Sequence, residues 1–206
     1  MKSFNIFLIG AGGQGIGPLS EVIAIAIDYS GQMVIGVGTH GLAQRGGVVS
    51  SHIKIGKSHS PLIGKHDADL ILALEGHEAA RAIADYTKVG STVVYYNSSW
   101  QPLDVRLGKD REITEADLEI AGSLILRIFK VCENLEGCEN AKHCSSQKVD
   151  ENRLIPEVGT DHYILAMKNL MSEAVFEKNR SVFLERRSYP IVIDETRLSL
   201  WVCPEF

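Results

Sequence analysis

Apolar residues in this chain fall into short runs separated by glycine-rich or polar stretches, a layout that predicts buried strands alternating with helices. Residues 4–9, rich in aromatic and branched side chains, predict a first buried strand, and the glycine cluster at 10–17 ends it at once. From 19 to 28 good helix formers and small apolar residues predict a helix, with Tyr29, Ser30 and Gly31 as its stop. A second strand is expected at 33–37, followed by a glycine-studded connection at 38–47 and a third strand at 48–55. In that third strand Val49, Ser51, Ile53 and Ile55 share one face, and Ser50, His52 and Lys54 the other.

The pattern repeats at 69–74, another buried strand, and at 75–86, where Ala79, Ala82, Ile83 and Tyr86 recur at helical spacing. Residues 91–96 predict the next strand. Strands alternating with helices across this half imply a three-layer α/β/α domain with a mainly parallel, Rossmann-like sheet. Beyond Asn97 the pattern weakens. Thr114 with Asp117 reads as the cap of a helix leading into the apolar run 120–131, itself read as a buried helix, and a further helix is expected over 161–187. Its apolar face comprises Tyr163, Leu165, Ala166, Leu170, Ala174, Phe176 and Phe183. The chain reads as one domain over 1–206 with a cysteine-bearing insertion at about 132–150.

Composition narrows the partners. A net charge of −5 offers no broad basic surface for nucleic-acid phosphates or anionic lipid, so neither nucleic acid nor membrane is expected. The apolar run near the N-terminus is too short for a secretory segment and no stretch reaches membrane-spanning length, which places the chain in the cytoplasm. There, Cys132, Cys138 and Cys144, with His143 beside the last, read as free thiols. Their five-residue spacers are wider than those of common zinc knuckles, so no metal site is assigned.

The chemistry concentrates in two glycine-rich strings. Gly10, Gly12, Gly13, Gln14 and Gly15 form a dinucleotide-type fingerprint between a predicted strand and a predicted helix. Glycines let backbone N–H groups approach a phosphate, and the positive end of the helix dipole favours the anion. The second predicted strand, however, ends without the carboxylate that would hold a ribose. The turn therefore suits a phosphate or a backbone contact better than a nicotinamide cofactor, with packing of helix on strand as the alternative. The second string, Thr39 to Gly47, places His40, Gln44, Arg45, Gly46 and Gly47 after a strand's carboxyl end, where open α/β sheets bind ligands.

Together the two strings resemble the γ subunits, or fused γ domains, of 2-oxoacid:ferredoxin oxidoreductases. Those proteins carry Gly-x-Gly-Gly-Gln-Gly near the N-terminus and then an Ala-Gln-Arg-Gly-Gly-type loop. His40-Gly41 before Ala43-Gln44 is similar to the indolepyruvate branch, from which Gly38 and Leu42 depart. The resemblance continues through residues 60–63 and 68–75, with Glu78 and Arg81 after them. It implies a subunit that completes an enzyme complex and helps form a coenzyme A channel. Thiamine diphosphate and iron–sulfur clusters would lie on catalytic and iron–sulfur partner subunits, and ferredoxin would accept the electrons. No catalytic residue is assigned to this chain, which alone should be folded but inactive. A free-standing dinucleotide-dependent reductase and a metal-organised interaction module are the alternatives. The resemblance further implies that Gly10, Gly12, Gly13, Gln14, Gly15, His40, Gln44, Arg45, Gly46 and Gly47 contact coenzyme A or a partner loop. The two strings are expected side by side, at the carboxyl ends of neighbouring parallel strands.

Overall fold

The computed structural model describes residues 3–39, 47–97, 107–108, 111, 114, 118, 125–132, 149–150 and 153–184. They form β1 (Phe4–Ala11), α1 (Ile16–Tyr29), β2 (Val34–Thr39), β3 (Val48–Ile55), β4 (Ala68–Ala73), α2 (Gly76–Tyr86), β5 (Thr87–Asn97), β6 (Ile125–Cys132), α3 (Thr160–Leu170) and α4 (Glu173–Leu184).

The strands make one six-stranded sheet in the order β2-β3-β1-β4-β5-β6. β1, β4, β5 and β6 are parallel neighbours, while β3 runs antiparallel to both β1 and β2. Five strands therefore share one direction and β3 alone is reversed, in keeping with a mainly parallel sheet. Helices cover both faces. α1, α3 and α4 pack on the face that presents Ile6, Leu8, Ile53, Leu70 and Leu72, and α2 packs on the face of Phe7, Ile9, Ile71, Ala73 and Val93. Because β1 and β4 are covered on both sides, they read as nearly unbroken apolar runs rather than as alternating ones. On α1 the buried residues Leu19, Val22, Ile23, Ala26 and Ile27 repeat at helical spacing and form a single apolar stripe.

Three expectations change. The apolar run read as a buried helix is a strand over its second half: β6 pairs in parallel with β5 from Ser91↔Ile125 to Asn97↔Cys132. Its sequence, Ile-Leu-Arg-Ile-Phe-Lys-Val-Cys, is dominated by branched and aromatic residues, and a run this short does not distinguish strand from buried helix by period alone. The helix expected over 161–187 is two helices. Met171 turns extended, with φ −113° and ψ 149°, and the Ser172 carbonyl accepts from Phe176 N at 2.8 Å as α4 begins. Serine competes with helical backbone and favours such a start. Leu165 and Leu170, expected in the core, are 48% and 38% exposed, whereas Met167 is buried. Cys138, His143 and Cys144 lie outside the described residues, and Cys132 ends β6.

This topology fixes where a ligand can lie. The chain leaves β1 through α1 toward β2 on one side, and leaves β4 through α2 toward β5 on the other. The carboxyl ends of adjacent β1 and β4 therefore form a topological switch point, the cleft at which open α/β sheets bind their ligands.

Candidate functional site

On one side of the cleft lies the turn from β1 into α1. Gly10 is buried, and a Cβ there would stand 2.8 Å from Gln14 Oε1, 3.1 Å from Ile16 Cδ1 and 3.2 Å from Leu74 Cβ, so only glycine fits without displacing them. Gln14 ties the turn down: its Oε1 accepts from Ala11 N at 2.7 Å and its Nε2 donates to the Leu74 carbonyl at 3.0 Å, linking β1 to the end of β4. The Gln14 amide is thus engaged within the fold at both ends. Gly13 is exposed, has φ +101° and has open space where a Cβ would stand. Gly15, at φ 87°, caps α1 with no side-chain hydrogen bond, and the first turn of α1 carries no acidic residue. A helix start with no side-chain cap and no acid beside it leaves its first N–H groups and the positive end of its dipole without a counter-charge from its own side chains.

Gly12 N donates to Gly47 O at 2.7 Å, so the two glycine strings touch. The strands they follow are not neighbours, contrary to expectation. β3 lies between β1 and β2 and enters the sheet from this edge, which puts Val48 opposite Ala11 and Ser50 opposite Thr39. Its reversed direction explains the contact: β3 begins at Val48, opposite Ala11 at the end of β1, which brings Gly47 against Gly12. The Thr39 hydroxyl is held by Ser50, with oxygens 2.6 Å apart. His40, Gln44, Arg45 and Gly46 lie outside the described residues.

On the other side of the cleft the turn from β4 into α2 carries residues that motif reading left without a role. Glu75 caps α2 with its side chain, Oε2 accepting from Glu78 N at 2.9 Å, while its Oε1 pairs with His77 Nδ1 at 2.9 Å. Glu75, His77 and Glu78 are all buried. Glu78 Oε1 stands 3.5 Å from Arg81 NH1, and its Oε2 is buried without a hydrogen-bond partner. Burial pushes the Glu78 carboxyl above its ordinary value; nearby Arg81 opposes that, Glu75 adds to it and His77 opposes it. The sequence signal for this cluster was a glutamate directly after an apolar strand and another three residues on, the spacing of a helix start.

Two other histidines, His52 and His162, hold structure. His52 is buried against Phe7 and Tyr86 and accepts from Ile63 N at 3.2 Å. Burial, with Lys54 nearby, lowers its pKa. His162 Nδ1 accepts from Gly159 N at 3.1 Å at the head of α3. Among the described residues no group of three or more His, Cys, Asp or Glu is gathered as a metal site, and no helix is long and apolar enough to cross a membrane.

Comparison with known proteins places this cleft in a family. The chain is 35% identical over 134 residues to indolepyruvate oxidoreductase subunit IorB of Archaeoglobus fulgidus, covering 59% of this chain and 66% of that protein. It is 39% identical over 92 residues to the IorB subunit of Methanothermobacter thermautotrophicus, covering 45% of this chain and 47% of that one. The chain thus spans between about half and two thirds of the length of these curated relatives. Among solved structures it is similar in fold to pyruvate oxidoreductase subunit PORC of Thermotoga maritima, with a TM-score of 0.60 at 14% identity, covering 89% of this chain and 94% of that one. The γ subunit of a keto/oxoacid ferredoxin oxidoreductase from Geobacter sulfurreducens gives 0.58 at 19% identity, covering 89% and 93%. A 2-oxoglutarate:ferredoxin oxidoreductase from Magnetococcus marinus, solved with 2-oxoglutarate, coenzyme A and succinyl-CoA bound, gives 0.60 at 17% identity, covering 89% of this chain and 30% of that one. The model of the pyruvate ferredoxin/flavodoxin oxidoreductase family matches residues 5–185, and the chain belongs to that family.

Proposed function

We propose that this chain is the γ-type subunit of a 2-oxoacid:ferredoxin oxidoreductase of the indolepyruvate kind, and that its switch-point cleft forms part of the coenzyme A channel and of the contact with the catalytic subunit. One observation carries the reading: α1 begins at a glycine with no side-chain cap and no acid in its first turn, beside the open Gly13, in a chain of this family. Backbone N–H groups and the helix dipole there suit the phosphates of coenzyme A or the carbonyls of a docked loop. Arg45, on the connection joined to this turn through Gly47, supplies the cation. When bound, coenzyme A contributes a thiol to which an acyl group is transferred. This chain's part is to bind and orient it.

Thiamine diphosphate and iron–sulfur clusters reside on the partner subunits, and ferredoxin takes the electrons from the complex. The topology speaks against a nicotinamide dinucleotide in the cleft. In a Rossmann domain the strand beside β1 is parallel to it and ends in the ribose-binding acid. Here that place is taken by the antiparallel β3, and the strand beyond it ends at Thr39, whose hydroxyl is engaged with Ser50.

The test is isolation of the chain with its native partners, followed by Arg45→Ala in the assembled enzyme. Partners bearing thiamine diphosphate and iron–sulfur absorbance are expected. The variant should fold normally and lose about 2–5 kcal/mol of apparent affinity for coenzyme A or for the catalytic subunit. Unchanged assembly and unchanged coenzyme A dependence would overturn the role of the loop.

A further inference from the structure

Three buried side-chain atoms among the described residues find no hydrogen-bond partner: Asn5 Oδ1, Tyr163 OH and Glu78 Oε2. Asn5 lies at the start of β1, at the far end of the strand from the cleft, and Tyr163 lies in the core beneath α1 and α4. Glu78 alone stands at the switch point, on the first turn of the 11-residue α2. Side chains lean toward the start of their own helix, so this carboxyl leans back toward the end of β4 and the cleft.

A buried carboxyl with one oxygen unbonded costs stability, and such a group calls for a reason. Its ion-pair partner among the described residues is a weak one. Arg81 is 58% exposed and approaches no closer than 3.5 Å, while the Glu78 side chain is 8% exposed. The groups facing Glu78 are Glu75 and His77 at the head of α2 and Arg81 one turn on. β1, β4 and β5 present Ile9, Ala73, Val93 and Tyr95 to the layer on which α2 packs. The cleft is therefore polarised, with a glycine-lined side suited to anions and a side bearing two buried carboxyls that repels them.

We propose that Glu78 is the receptor for a lysine or arginine side chain of a partner subunit, which enters the cleft on assembly, displaces Arg81 and takes the Glu78 carboxylate as its counter-ion. This rests on the reading of the chain as a docked subunit. A rotation about the terminal carboxyl torsion, which is soft, presents either oxygen to the incoming group. Charge complementarity selects the occupant: the chain carries a net charge of −5, and an incoming cation satisfies both the orphaned oxygen and its charge, whereas a water satisfies only the oxygen. Desolvation raises the pKa of the carboxyl in the free chain and a docked cation lowers it again, so the fraction protonated before docking is released to solvent.

The experiment titrates the purified chain with its native catalytic partner chains by calorimetry, at mildly acidic pH, in buffers of different ionisation enthalpy. The wild-type chain is expected to release protons on assembly. Glu78→Gln should release fewer by the share that Glu78 contributes and bind roughly 30-fold more weakly, while melting at or above the wild-type temperature when alone. Arg81→Ala should bind at least as tightly as wild type. Wild-type affinity and proton release in Glu78→Gln would overturn the inference and leave the subunit reading standing. Failure of the wild-type chain to bind those partners would remove the reading itself, and the inference with it.

Discussion

The turn from β1 into α1 and the turn from β4 into α2 open on the same cleft, yet they satisfy their helix starts in opposite ways. At the head of α2 the chain supplies its own acceptor: Glu75 caps the helix and orients His77. At the head of α1 it supplies none, and glycine stands where a capping side chain would be. A buried or half-buried helix start with no internal cap is normally completed by something external. One half of the cleft is finished within the chain, while the other is left open, as the proposed binding of coenzyme A or a partner loop requires. Gln14 belongs to the first category despite its place in the glycine string, because both ends of its amide hold β1 and β4 together. The glycine string thus combines two tasks: Gly10 and Gln14 build the turn, which Gly12 joins to Gly47, and Gly13 and Gly15 leave it open.

That division can be broken by substitution. The largest effect is expected at Gly10, where an alanine methyl group meets Gln14, Ile16 and Leu74 within 3.2 Å. Gly10→Ala should lower unfolding free energy by about 1–3 kcal/mol in urea denaturation, the range for overpacking a core. No loss of stability would mean that the turn is looser than described. Next in size, Glu75→Ala removes the cap of α2 and should lose about 0.5–2 kcal/mol. The equivalent cap-free state is already native at α1, so a negligible loss at Glu75 would erase the contrast between the turns.

The smallest effect is expected from pH. Burial raises the Glu78 carboxyl above its ordinary value, so the folded chain holds that proton more tightly than the unfolded chain does. The stability this contributes is full below the unfolded value near 4.5 and is lost as pH rises through the raised folded value. Glu78→Gln should therefore flatten the loss of melting temperature across that window. An unchanged profile would show that the carboxyl is hydrated.

Much of this architecture was legible from residues alone. β1, α1, β4 and α2 announce themselves because the strands are covered on both faces and the helices carry a single apolar stripe. The reversed β3 was not legible. Its own alternation marks a strand, but its insertion between β2 and β1 depends on pairing with Phe4–Ala11, far away in sequence. β6 was misread because eight apolar-rich residues suit either a strand or a buried helix, and its place beside β5 decides the matter. Within the site, the glycine string could be read as a turn, but not the fact that the Gln14 amide ties β1 to the end of β4. The importance of Glu78 was hidden because a glutamate on the first turn of a helix is ordinarily a solvated one, and only burial by the neighbouring layer makes it otherwise.

On the proposed function, the α1 start is open in the free chain and occupied in the working complex. Amide hydrogen exchange at Gly13, Gly15, Ile16 and Gly17 measures this directly, comparing the free chain, the assembled complex and the complex with coenzyme A. These amides should exchange readily in the free chain, slow on assembly and slow again when coenzyme A is added. Equal exchange in all three states, in a complex shown to be assembled and to bind coenzyme A, would contradict the account.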